Sequence, residues 1–133
     1  MREGMAAINL LLRTHPSAHV HFGQHASPAA FSAALSRPGW LVLEHASCWL
    51  MLDFDGSGSY ELHWLCPHGA DMAAIRRMLR RAFATGAESV WGRPSKNRAA
   101  RMLARAIGCV RDGEYYTLSK ARFLDYNAGK AGM

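Results

Sequence analysis

The stretch ELHWLCPHGADMAAIRRML (residues 61–79) changes period half-way along, and that change decides the fold class. Glu61 and His63 alternate with Leu62 and Trp64, as on a strand with one polar and one apolar face. Beyond Pro67-His68-Gly69 the apolar residues recur every three or four positions. Met72, Ile75, Met78, Leu79, Ala82 and Phe83 share one helical arc; Arg76, Arg77, Arg80 and Arg81 share the opposite one. A strand feeding a helix through a tight turn is a building unit of mixed α/β sheets. It is also a natural anion site, because free N–H groups and the helix dipole converge there.

Upstream, WLVLEH (40–45) and CWLMLDF (48–54) are apolar runs of strand length. DGSGS (55–59) is a hairpin loop that returns the chain into YELHWLC (60–66), so an antiparallel three-stranded meander is expected. Downstream, Gly86 ends the arginine-faced helix, and ESVWGR (88–93) reads as a short strand that Pro94 breaks. If that strand lies parallel to 60–66, the crossover is right-handed. A further helix covers 97–107, with Ala99, Ala100, Met102, Leu103, Ala106 and Ile107 on its apolar side and Arg98, Arg101 and Arg105 opposite. Gly108 is its C′ residue. CVRDGEYYTLSK (109–120) holds a final strand or hairpin turning at Asp112-Gly113, and NAGKAGM reads as a frayed end.

Before the meander, residues 5–13 read as a short helix and THPSAHVHFGQHA as an irregular polar connector. Ser27 caps a second helix with Pro28 at its first position, and SRPG (36–39) stops it. The fold class is therefore α/β (α+β): one mixed sheet with helices on its faces, in a single domain over 1–133.

With 50% hydrophobic and 20% charged residues the composition is that of a globular domain. No apolar run reaches the ~20 residues of a membrane helix, so no membrane partner is expected. The apolar run in MREGMAAINLLLRTH is short and stops at Arg13, which suits a helix better than a signal peptide. Cys48, Cys66 and Cys109 sit in apolar sequence and read as reduced thiols of a cytoplasmic protein. The net charge of +6 favours an anionic partner: nucleic acid, a polyphosphate cofactor or an acidic protein.

The segment GRPSKNRAARMLARAIGC (92–109) resembles the GNAT superfamily of N-acetyltransferases, in which an Asn opens a helix, small residues follow and a Gly-Phe pair closes it. Asn97, Ala100, Leu103 and Gly108 match those places. The order of elements over residues 40–119 agrees too, and YELH with GRPSKNR is similar to the pairing in small GNAT-like proteins of tailed bacteriophages. The resemblance implies a meander at 40–66, a cofactor-side half at 67–120 whose strands splay into a V, N-terminal helices at 1–39 and a tail at 121–133. It implies transfer of an acetyl group from acetyl-CoA to a small-molecule or protein amine. Leu65, Cys66, His68, Gly69, Ala70 and Asp71 would hold the pantetheine and pyrophosphate, and Asn97, Arg98 and Arg101 the rest of CoA.

The same comparison has departures. Cys66 stands where the family places a basic or amide residue, Asp71 where it places a small one, Ala104 at its helix tyrosine and Cys109 at its Phe. A carboxylate ~5 Å from a phosphate charge at an effective dielectric near 20 opposes binding by about 3 kcal/mol. These residues motivate an alternative: a catalytically silent GNAT-like phage protein that binds within a virion or to a host factor.

For catalysis, Glu61 and His63 share one strand face, and a base of near-neutral pKa there could free an amine for attack. Against this stands a plain solvent-facing pair. Tyr115 or Tyr116 could protonate a leaving thiolate; paired strand tyrosines more often divide between core and surface. Cys66 has no base beside it to make it a nucleophile. His15, His19, His21 and His25 lack any cysteine or carboxylate at zinc spacing, so no metal is expected. The arginine faces carry no interleaved aromatics, which disfavours nucleic acid and leaves a solvated surface as the simpler reading.

Overall fold

The computed structural model describes residues 1–22, 27–93 and 96–133, without the side chains of His21 and Phe22. Pro94 and His25, both named above, lie outside the described residues. The meander forms as expected from β2 (Trp40–His45), β3 (Cys48–Phe54) and β4 (Ser59–Leu65). Its first turn is a two-residue connection in which Ala46 and Ser47 both take positive φ, 51° and 60°. In its second loop Asp55 Oδ1 accepts from Ser57 N (2.8 Å) and Ser57 Oγ (2.6 Å), an Asx-type closure.

A strand not foreseen, β1 (Arg2–Glu3), pairs with β2 ahead of α1 (Met5–Thr14). Its side chains tie it down: Arg2 Nη1 lies 3.2 Å from Glu44 Oε2, and Arg81 Nε lies 2.5 Å from Glu3 Oε1. The connector after α1 is not wholly irregular, since Ala18–Phe22 winds into a 3-10 turn whose Ala18 is buried. In α2 (Pro28–Leu35), Ser27 Oγ accepts from Ala30 N at 3.1 Å, and proline occupies the first turn as expected.

After β4 come α3 (Met72–Ala84), β5 (Ser89–Gly92), α4 (Arg98–Ala106), β6 (Val110–Asp112), β7 (Tyr115–Ser119) and α5 (Lys120–Tyr126). Among the described residues the strands form one seven-stranded sheet in the order β1-β2-β3-β4-β5-β7-β6, with β4 and β5 parallel. Strand alternation divides the apolar residues between its faces. Val42, Trp49 and Met51 pack with Ala7, Ile8 and Leu11 of α1 and Phe31 of α2. Leu43, Leu50 and Leu52 pack with Ile75, Met78 and Phe83 of α3, Leu103 of α4 and Phe123 of α5.

Three expectations need correction. The chain past residue 120 is neither tail nor frayed: α5 packs Phe123 against Phe83 with ring centroids 5.2 Å apart. Asn127 is fully buried and donates to Ile107 O and Phe123 O, both at 2.9 Å. The apolar side of α4 is rotated from the expected arc: Ala104 is buried, whereas Met102 is 58% exposed and Ala99 and Ala106 are also outside. The arginine face of α3 is not simply solvated, because Arg76 meets Asn127, Arg80 meets the Met133 carbonyl oxygen and Arg81 meets Glu3.

Candidate functional site where β4 and β5 part

Among the described residues only Ser59, Tyr60 and Glu61 of β4 pair with β5, through Ser89, Val90 and Trp91. β4 continues to Leu65, still paired with β3, but over residues 62–65 its other edge has no strand partner among the described residues. A cleft of about 880 Å³ opens there. One wall is Leu62, His63, Trp64 and Leu65; the other is Gly92 and Arg93 with Asn97, Ala100 and Arg101 of α4. Cys109 and Tyr116 also reach it, and Thr14 to Ala18 contribute a further border that the sequence did not suggest.

The turn into α3 is built by its own residues. Gly69 N donates to Cys66 O at 3.1 Å, closing a turn with Pro67 at its second position, and Gly69 takes φ +95°. Asp71 caps α3: its Oδ1 accepts from Ala74 N at 3.0 Å, and its carbonyl accepts from Ile75 N at 2.9 Å. The N–H groups of Ala70, Met72 and Ala73 have no acceptor among the described residues. An anion would thus find some donors left and a carboxylate already among them.

His63 lines the cleft, and Glu61 stands behind it with Oε1 3.5 Å from His63 Nε2. Burial lowers the His63 pKa, opposed by the charges of Glu61 and Asp53 and reinforced by Arg93, which favours the neutral ring. The Trp40 ring lies 5.9 Å from the His63 ring, centroid to centroid. Arg93 Nε is 3.9 Å from Glu61 Oε1. The same physics acts on two thiols: burial, with Cys48 alongside, pushes Cys66 up to about 12, and burial pushes Cys109 up to about 11, which disfavours the thiolate in both.

No protein-family model matches the chain, and no curated protein does. A solved domain from Methanocaldococcus jannaschii DSM 2661 shares the fold. It is 12% identical with a TM-score of 0.57, over 86% of this chain and 93% of that one.

Of the residues singled out from sequence, Leu65, Cys66, Gly69, Ala70, Asn97, Arg101 and His63 line the cleft. Glu61 reaches it only through His63, whereas His68, Asp71, Arg98 and Tyr115 do not line it. The His68 ring tilts against the His15 ring with centroids 5.5 Å apart, and the Tyr115 and Trp91 rings meet in a T-shape at 5.3 Å. Tyr116, the other half of the tyrosine pair, is the one in the cleft. Asn97 spends its side-chain oxygen on Ala99 N (2.8 Å) and Ala100 N (3.4 Å) as the cap of α4. No group of three or more His, Cys, Asp or Glu side chains could share a metal ion, and no helix is long and apolar enough to cross a membrane, among the described residues.

Sequence reasoning overlooked Asp53, Trp40, Trp91 and Arg93. A signal for the first existed: counting back from the DGSGS loop sets Asp53 directly across from Glu61. The others depend on β2 and β5 register, which only the assembled sheet supplies.

Proposed function

We propose that the chain is a GNAT-type acyltransferase that moves an acetyl group from acetyl-CoA to an amine. One observation carries this reading: an open strand edge at 62–65 inside a cleft, with a neutral histidine on the same strand. An extended chain bearing amides can add to such an edge through main-chain hydrogen bonds, and a pantetheine arm is such a chain. The open backbone edge over 62–65 would take that arm, leading toward Cys66, Gly69 and Ala70, while Arg101, with Asn97, would face the phosphates. When bound, acetyl-CoA supplies an activated acyl carbonyl. His63 takes a proton from the incoming ammonium, and Glu61 stabilises the imidazolium that results. Tyr116 is better placed than Tyr115 to return a proton to the leaving group.

The arm fits the residues better than the pyrophosphate does, since Gly69 N and Ala74 N already have acceptors and Asp71 repels an anion. Millimolar acetyl-CoA is expected to raise the melting temperature, and Asp71→Gly to tighten binding by roughly tenfold or more. No shift for either protein would overturn the proposal.

Asp71 also supports a second reading: a phage-type GNAT scaffold, working in the host cytoplasm or virion, that binds a protein partner without catalysis. Acetyl-CoA binding by Asp71→Gly alone would favour it; a tight wild-type complex would refute it.

A further inference from the structure

Cys48 and Cys66 face each other across the end of the β3–β4 ladder. The register that pairs Leu50 with Trp64 and Trp49 with Leu65 sets Cys48 opposite Cys66 one step further on. Directly opposed residues point to the same face, and both cysteines pack into the cluster that α3 covers.

The turn at the other edge of β3 fixes the kind of pair they make. Ala46 and Ser47 both take positive φ, and His45 pairs with Cys48 across them, as in a two-residue type I′ hairpin. Residues flanking such a turn exchange both main-chain hydrogen bonds, so the N–H and C=O of Cys48 point to β2. Toward β4, Cys48 and Cys66 are therefore a non-hydrogen-bonded pair, whose Cα atoms stand about 4.5 Å apart. A disulfide spans about 4.4–6.8 Å between Cα atoms. The side chains already interact: after burial, the neighbouring Cys48 is what holds Cys66 in its thiol form. Cys48 Sγ also lies 3.8 Å from Gly69 O, in the turn that leads into α3. Cys48 is fully buried, whereas Cys66 is half-buried and lines the cleft, so Cys66 is the one open to a small reagent.

We propose that Cys48 and Cys66 are a redox pair that closes into a cross-strand disulfide, with Cys66 as the entry thiol and Cys48 as the resolving one. The oxidant is a small-molecule disulfide admitted by the cleft. Cys66, as thiolate, attacks one of its sulfurs; that S–S bond breaks, one small thiolate leaves and a mixed disulfide forms on Cys66. Cys48, as thiolate, then attacks the Cys66 sulfur and expels the second small thiolate. The two cysteine protons go to the two departing thiolates, so the protein loses two electrons and the small disulfide gains them. Closure draws the Cys66 sulfur toward β3 and removes the S–H that Cys48 offers to Gly69 O, which makes the turn into α3 sensitive to redox state. The pair stands independently of acyl transfer.

Treatment of the reduced, folded chain with oxidised glutathione at about pH 8.5, followed by blocking of free thiols, digestion and mass spectrometry, tests the pair. A Cys48–Cys66 cross-linked peptide is expected, with Cys109 outside it. The oxidised protein should melt about 5 °C or more above the reduced one, and dithiothreitol should reverse both effects. In Cys48→Ser, glutathione should stay on Cys66, because the resolving thiol is gone. Refolding of the reduced chain in the same buffer reads the pairing with both thiols open to the reagent. A missing cross-link in both the folded and the refolded protein, glutathione retained on Cys66 of the wild type, or Cys66 joined to Cys109 would overturn the proposal.

Discussion

Arg76 Nε on α3 donates at 3.0 Å to the side-chain oxygen of Asn127, a residue just past α5 with no solvent exposure. The same amide donates to Ile107 O at the end of α4, so one side chain joins three helices. Asn127→Ala strands a buried carbonyl and removes the partner of a guanidinium. A loss of about 2–4 kcal/mol is expected, read from urea midpoints.

Gly108 closes α4 in a Schellman arrangement, with Cys109 N on Ala104 O and Gly108 N on Arg105 O, both at 3.0 Å. A Cβ there would meet Tyr126 Cδ1 and Cγ at 2.8 Å, in a backbone of φ +96°. Gly108→Ala should therefore cost about 2 kcal/mol or more. Adding Tyr126→Ala should recover most of the steric part, since only the Cβ contact at 3.1 Å stays, and leave the backbone part, a separation that a double-mutant cycle measures.

The Ala46-Ser47 turn places two residues with side chains in the left-handed region. Asn-Gly suits such a turn far better. Ala46→Asn with Ser47→Gly is expected to stabilise by about 1 kcal/mol, seen as a higher melting temperature with an unchanged circular dichroism spectrum.

His63 has a lowered pKa in the folded chain, chiefly from burial. Between that value and the unfolded one near 6.5, the unfolded chain binds more protons, so stability rises with pH. Stability that is present above about pH 6.5 is accordingly lost as pH falls through the folded pKa. His63→Gln should remove that part of the slope, which paired melts of the two proteins between pH 7.5 and 5 would reveal. Under the acyl-transfer proposal, the rate of amine acetylation should decline over the same acid range.

Cys66, held at about 12, is almost entirely thiol at pH 8. Its alkylation in the folded protein is expected to run about a thousandfold slower than that of an ordinary cysteine. Mass-resolved labelling with iodoacetamide, before and after denaturation, checks this at residue level.

The meander, the period change after Cys66 and both arginine-bearing helices were legible because each is written in local alternation or helical spacing. Asp71 was likewise readable as a cap. β1 was not, since a two-residue strand has no period and exists only through β2 and two ion pairs. α5 was hidden by glycine and lysine around it; what holds it is Phe123 on Phe83 and Asn127 on Ile107, contacts between segments distant in sequence. The burial of Ala104 in place of Met102 and Ala106 follows from where the cleft lies beside α4, which helical spacing cannot express. Within the site, Glu61 and His63 were visible on one strand, but the tryptophans flanking the carboxylate pair emerge only from register across the sheet.

The division of apolar residues into two clusters, one on each side of the strands, has a mechanical consequence. α1 and α2 lean on one side alone, so thermal loosening of that cover can proceed while α3 and α5 keep their grip on the other. His63 sits on the side that α1 and α2 cover, so such loosening would reach the ring while the opposite cluster still holds its strand.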